Sequence, residues 1–375
     1  GKKDQIGLRE GIFASFALLG AVTVLLNVAV FLGIDWIIWA LRTPEDLVVM
    51  MREYLEVIFA GLIGIFLYNF FASLLRSLGN SLVPLLFLAV SAILNIALDL
   101  WFVAGLDRGV AGAAEATVIS QYVSGIGIAV YTWVKFPELL RIDRTVRLRM
   151  SRVKEITSYS ALTCLQQSIM NLGILAVQGL VNSFGTTIMA AFAAAVKIDA
   201  FAYLPVQDFG NAFSIFTAQN YGARQTERIK KGIRVAVLTS LSFSLLISAC
   251  VFVFAEPLMT LFIDAEETAV IAEGVHYLRI EGAFYFLIGL LFLLYGLYRA
   301  LGKPGMSVVL TVVSLGNRVA LAYALSAVPA FGVMGIWWSV PIGWFLADGL
   351  GILYYLAKRK ILLTERGTGD SDAEV

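Results

Sequence analysis

The sequence predicts an all-α polytopic membrane protein, a two-lobe bundle of parallel six-helix repeats with ten helices present. Three observations predict it. The 375 residues are 59% hydrophobic and only 15% charged, with a mean hydropathy of +0.83, against about 25% charged in an ordinary soluble domain. Apolar runs recur throughout, each long enough to cross a hydrocarbon core roughly 30 Å thick. Two stretches are also copies of one another: Tyr54–Arg76 aligns without a gap with Tyr277–Arg299. The match extends to Gly11 with Gly232, Asn95 with Asn317 and Gly109 with Gly332, at an offset of 221 to 223. Repeats of this size in so apolar a chain are a common construction of membrane transporters.

Turn chemistry separates the spans in order. The first helix, 12–41, stops before Thr43-Pro44-Glu45-Asp46, where Pro ends one helix and acidic residues open the next. The second, 47–78, ends at Gly79-Asn80-Ser81. The third and fourth, 84–105 and 109–134, turn at Leu106-Asp107-Arg108. Ser183-Phe184-Gly185 separates 157–182 from 188–219. Helices at 233–256 and 267–301 follow, the latter ending at Gly302-Lys303-Pro304-Gly305. The last two, 305–327 and 333–357, flank Pro329. Several exceed 30 residues, so they must tilt or project beyond the lipid.

Loop charge sets orientation. Twenty-two Lys and Arg residues fall in one set of loops, among them Lys135, Arg141, Arg152, Arg228, Lys231, Arg299 and Lys358. The alternating loops hold three: Arg42, Arg52 and Arg108. This asymmetry places both ends of the chain in the cytoplasm. It also accounts for the basic loops without a nucleic-acid partner. The expected partners are membrane lipids and a transported small molecule, with the protein a monomer. The lobes are expected at 1–134 and 157–357, joined by a cytoplasmic linker, 135–156, and followed by a tail, 358–375. Within the linker, RIDRTVRLRM reads as a short amphipathic helix at the interface.

The second copy has apolar sequence ahead of the shared region, Arg152–Tyr221, without a counterpart in the first. The expectation is therefore that about 70 or more residues, two helices, precede Gly1 in the intact repeat, and that the 375 residues alone export nothing. Cys164 and Cys250 lie in apolar segments and read as small core residues rather than a disulfide. A single histidine, His276, argues against a His-based zinc site or a Ser-His-Asp triad. No Asp-rich metal cluster, paired catalytic Asp or channel-like filter loop is apparent, so neither an enzyme nor a channel is expected.

An ionisable side chain within lipid costs about 2.5–3.5 kcal/mol, so each requires a reason. Asn95 and Asp99 are four residues apart on one helix face. Thr117 lies on the returning arm of the hairpin. At a rise of about 1.5 Å per residue, its depth falls between theirs. Three oxygen-bearing side chains then converge in the outer half of the membrane. Such a set suits a hard cation such as sodium, and its carboxylate can alternatively carry a proton. In the second copy Asp99 falls on Leu321 or Ala322 and Thr117 on Val340, so the fold does not require these groups. A helix-packing hydrogen bond is the alternative role for Asp99. Gln166, Gln167, Asn171, Lys197, Asp199 and Asp208 are candidates for lining a substrate cavity. Arg318 and Asp348 are a candidate ion pair between the last two helices. No cofactor is expected beyond the coupling ion, sodium or proton.

The stretches "RSLGNSLVPLLFLAVSAILNIALD", "GVAGAAEATVISQ", "AAAVKIDAFAYLPVQDFGNAFSIFTAQNYGARQTERIKKG" and "YRALGKP" resemble the multidrug and toxic compound extrusion (MATE) family, in the family's order over nearly the whole chain. The resemblance implies a MATE-like bundle of twelve helices in two six-helix lobes, of which this chain carries the third to the twelfth. It implies a cation-coupled antiporter in the inner membrane of a prokaryote, exporting amphipathic organic cations by alternating access. The wider superfamily includes lipid-linked oligosaccharide flippases, which is the alternative reading. The archaeal and DinF-like branch carries a coupling-ion site of Asn, Asp and Thr at this spacing, matched here by Asn95, Asp99 and Thr117. That branch adds an Asp on the first helix.

Overall fold

The computed structural model describes residues 4–40, 44–140 and 149–364. It is all helix: α1 (Gln5–Ala40), α2 (Val48–Ala60), α3 (Leu62–Ser77), α4 (Leu82–Asp99), α5 (Gly109–Lys135), α6 (Pro137–Leu140) and α7 (Met150–Asn182). Then follow α8 (Thr186–Gly222), α9 (Thr226–Val253), α10 (Ala255–Met259), α11 (Thr268–Gly282), α12 (Tyr285–Ala300), α13 (Pro304–Ser326) and α14 (Val333–Thr364). Among the described residues nine helical segments are long and apolar enough to cross a membrane, or ten when α11 and α12 count as one broken span.

The helices outrun the apolar stretches that announced them. α7 starts at Met150, α8 and α9 nearly meet around Arg224, and α14 runs on to Thr364. Lys, Arg, Glu and Gln are good helix formers, so the edge of the hydrophobic run is not the edge of the helix. The amphipathic helix expected across RIDRTVRLRM lies almost wholly on residues 141–148, outside the described residues. Cys164 and Cys250 are free and exposed, which corrects the expectation of a core position. In a membrane bundle the outer surface is itself apolar, so a small apolar residue gains nothing by being inside.

The two repeat copies, each expected as one continuous helix, are both interrupted at the matching place. The first breaks at Gly61, between α2 and α3. The second breaks at Ala283–Phe284, between α11 and α12, where the halves bend by 50°.

The chain forms two compact units, Asp4–Ser158 and the part from Tyr159 onward. In the first, Phe16, Phe66, Phe70 and Phe71 form an aromatic cluster with ring centroids 5.1–6.3 Å apart. α3 and α5 touch backbone to backbone there: a Cβ on Gly64 would stand 3.0 Å from the Tyr122 amide nitrogen. In the second unit α12 is buried nearly all round, from Tyr285 to Tyr298, as expected of a helix with no polar face. Phe192 stacks on Trp337 at 5.6 Å, and Tyr277 meets the same indole edge-on at 4.9 Å. α8 closes on α12 through Gly210, where a Cβ would stand 2.7 Å from the Phe292 carbonyl oxygen. Small residues at such crossings let membrane helices gain van der Waals contact that larger side chains would forbid.

Candidate functional site

In the first unit, α4 and α5 form an antiparallel hairpin bridged by polar side chains. Ser91 Oγ donates to the Ser120 carbonyl at 2.9 Å, and one turn on, Asn95 Nδ2 donates to Thr117 Oγ1 at 3.4 Å. Thr117 Oγ1 in turn donates to the Ala113 carbonyl at 3.0 Å. Continuing this register by one turn sets Asp99 at the level of Ala113. Asp99 Oδ1 is buried and has no hydrogen-bond partner. Of the three predicted residues, Asn95 and Thr117 thus make direct contact. Asp99 sits one helical turn along the same face with an open oxygen.

Thr117 is level with Asn95, not at a depth between Asn95 and Asp99 as a uniform rise implied. The cause is a π-helical segment, Leu100–Gly105, directly after Asp99. Its wide turns close through Leu106 N to Trp101 O at 2.9 Å and Arg108 N to Phe102 O at 3.0 Å. They advance the chain less per residue than an α-helix does, which draws Asn95 nearer the turn. Such segments are frequent at functional sites. Below the turn, Arg108 pairs with Glu115 through two contacts, the longer at 2.8 Å. Glu115, absent from the residues expected from the sequence, is a further carboxylate within a span, in the stretch GVAGAAEATVISQ. Its basic partner seven residues earlier was the available signal.

The second unit separates the cavity candidates. Gln166 and Gln167 line a polar cavity of about 330 Å³, together with Gln207, Asn211, Tyr295 and Arg299. Arg299 donates to Asn211 Oδ1 at 3.0 Å and to the Tyr295 carbonyl at 3.3 Å. Asn171, Lys197, Asp199 and Asp208 are not on its wall. Asn171 and Asp208 are exposed, and Lys197 Nζ lies 5.7 Å from the centre of the Phe262 ring. Asp199 accepts hydrogen bonds from the hydroxyls of Tyr277, at 2.6 Å, and Tyr285. The expected Arg318–Asp348 pair does not form. Asp348 is 3% exposed with neither carboxyl oxygen hydrogen-bonded, while the charge of Arg318 acts on Asp199 and Glu281. Adjacent helices in sequence gave the pairing, and the Cβ of Arg318 does lie against α14, 3.4 Å from where a Cβ on Gly343 would stand, but its head group does not reach Asp348.

A polytopic helical membrane protein made of two repeat-related units, with oxygen-rich groups set inside the spans, has the build of a secondary transporter and not of an enzyme. The MatE family model matches residues 1–101 and 163–324, well over half of the chain, and the chain belongs to that family. It is 29% identical to YpnP of Bacillus subtilis (strain 168), a probable multidrug resistance protein, over 95% of this chain and 79% of that one. It is 28% identical to YoeA of the same organism, also a probable multidrug resistance protein, over 84% and 69%. Its fold matches the outward-facing structure of a multidrug resistance MATE family transporter of the MOP superfamily with a TM-score of 0.90, at 24% identity, covering 96% of this chain and 81% of that one.

Proposed function

We propose that the protein is a cation-coupled multidrug exporter of the DinF-like type, with both ends of the chain cytoplasmic. A sodium ion or proton taken up at Asn95, Asp99 and Thr117 is exchanged for an amphipathic organic molecule by alternating access. The observation that carries this reading is the buried, unpartnered carboxyl oxygen of Asp99 one turn from the Asn95–Thr117 pair. A carboxylate left open inside a membrane bundle is explained by an ion that comes and goes. The names of YpnP and YoeA support export of drugs, and the asymmetry of Lys and Arg between loops supports the orientation. The test is ethidium efflux from proteoliposomes of the full-length protein under an imposed sodium or pH gradient. Export driven by one of them names the coupling ion. Efflux that ignores both gradients would end the reading.

The polar cavity adds a specific expectation about substrate. Its amide side chains from Gln166, Gln167, Gln207 and Asn211 can bind either sign of charge, but the Arg299 guanidinium repels a cation. Arg299→Gln is therefore expected to raise export of a cationic dye by several-fold and to lower that of an anionic one. Competition assays with a matched pair of dyes read the difference. Equal changes for both dyes would show that Arg299 does not act by charge.

A further inference from the structure

Asp199 on α8, Tyr277 and Glu281 on α11 and Tyr285 on α12 come together inside the second unit, within reach of the charge of Arg318 on α13. Asp199 receives the hydroxyl hydrogens of Tyr277 and Tyr285, which stand on either side of the break at Ala283–Phe284. One carboxylate therefore clamps both halves of the bent span. Glu281, in the last turn before the break, is 6% exposed, and its Oε2 has no hydrogen-bond partner. The Nε of Arg318 is likewise buried without a partner, and its charge reaches Asp199, Glu281 and Tyr203.

Among the described residues, the other basic groups on α8 and α11 are engaged elsewhere. On α8, Lys197 is turned to Phe262; on α11, Arg279 lies over Phe252, and His276 is exposed beside Glu273 at 3.9 Å. From α9, the hydroxyls of Ser240 and Ser244 face Gly289 of α12, and from α14 the ring of Trp337 meets Tyr277. Two carboxylates thus face one guanidinium. A lone uncompensated charge in this interior is strongly disfavoured, so the cluster calls for one more positive charge. Both tyrosines already donate to Asp199, which leaves Glu281 Oε2 as the open acceptor.

We propose that Glu281 holds one exchangeable proton and that this proton latches the bend between α11 and α12. When it leaves, two charged carboxylates compete for the single hydroxyl hydrogen of Tyr277. Transfer of that hydrogen bond from Asp199 to Glu281 opens one side of the clamp over the break. The inference goes beyond the exchange site proposed above and does not use Asp99.

Charge balance makes the test countable. Infrared difference spectra of the purified protein between acidic and alkaline pH report the carbonyl stretch of protonated buried carboxyls. Relative to the wild type, Glu281→Gln and Asp199→Asn should each show one such titrating group fewer. Arg318→Gln should show one more, since two carboxylates then lack a counter-charge. Asp99→Asn should keep the Glu281 signal, which separates failure of this inference from failure of the exchange reading. Spin labels on α11 and α12 should report a pH-dependent distance in the wild type and none in Glu281→Gln. An unchanged count in Glu281→Gln, or a loss in Arg318→Gln, overturns the proposal. If Glu281→Gln does not fold, Arg318→Gln and Asp199→Asn still decide it by the opposite signs of their changes.

Discussion

Asp99→Asn in the full-length protein is expected to abolish gradient-driven export while leaving a folded protein in the membrane. Asparagine keeps the size and shape of the side chain and removes only its charge. Folding should tolerate the change, because the second repeat places Leu321 or Ala322 at the matching position without loss of its helix. A carboxylate paired with a desolvated cation contributes roughly 2–5 kcal/mol. At about 1.4 kcal/mol per tenfold, its removal weakens ion binding on the order of a hundredfold or more. The neighbouring Asn95 and Thr117 cannot compensate, since neither carries charge. Thr117→Ala should cost far less, one hydroxyl ligand and its bond to Asn95, so the pair of variants gives a graded series. Dye efflux at the wild-type rate in Asp99→Asn would dismiss the site outright.

The second large effect is structural. Gly210→Val should prevent α8 and α12 from closing, because the new Cβ would lie 2.7 Å from the Phe292 carbonyl oxygen and 3.1 Å from its Cβ. The obstacle is backbone, which cannot swing aside as a side chain can. Overpacking costs about 1–3 kcal/mol in ordinary cores, and a clash with main chain belongs at or above the top of that range. A shift of about 2–4 °C per kcal/mol then lowers the thermal midpoint in detergent by on the order of 10 °C. Gly316→Ala is the matched control: nothing lies within 4 Å of its Cβ position. Removing a helical glycine there should be neutral, or stabilising by up to about 1 kcal/mol. Midpoints that do not separate these two variants would mean that α8 and α12 are further apart than described.

Much was legible in the sequence because lipid imposes a one-dimensional rule. Every span needs some twenty apolar residues, so the ten runs and the turn residues between them located the helices, although α1, α7 and α9 begin before, and α14 ends after, the edges of their apolar runs. The repeat was equally plain, since Tyr54–Arg76 and Tyr277–Arg299 align without a gap. The i,i+4 spacing of Asn95 and Asp99 needed only helical periodicity, and the hairpin at Asp107 brought Thr117 back toward them. Glu281 stands beside Gly282 inside an apolar run, so its place within a span was as legible as that of Asp199.

What the chain alone determined is therefore the number, order and lipid-spanning character of its helices, and which polar residues lie within them. Only the tertiary structure decided which of those residues meet. Asp199 takes the hydroxyls of Tyr277 and Tyr285, and Asp348 is left without a hydrogen-bond partner; Gln166 and Gln167 share a cavity that Asn171 does not. The π turns after Asp99 and the breaks at Gly61 and Ala283–Phe284 reset depth and direction midway along the spans. The physical reason is that hydropathy records a residue's distance from water. A contact between helices depends on their rotation, bend and axial shift, which glycine crossings and side-chain packing fix only once all the partners are in place.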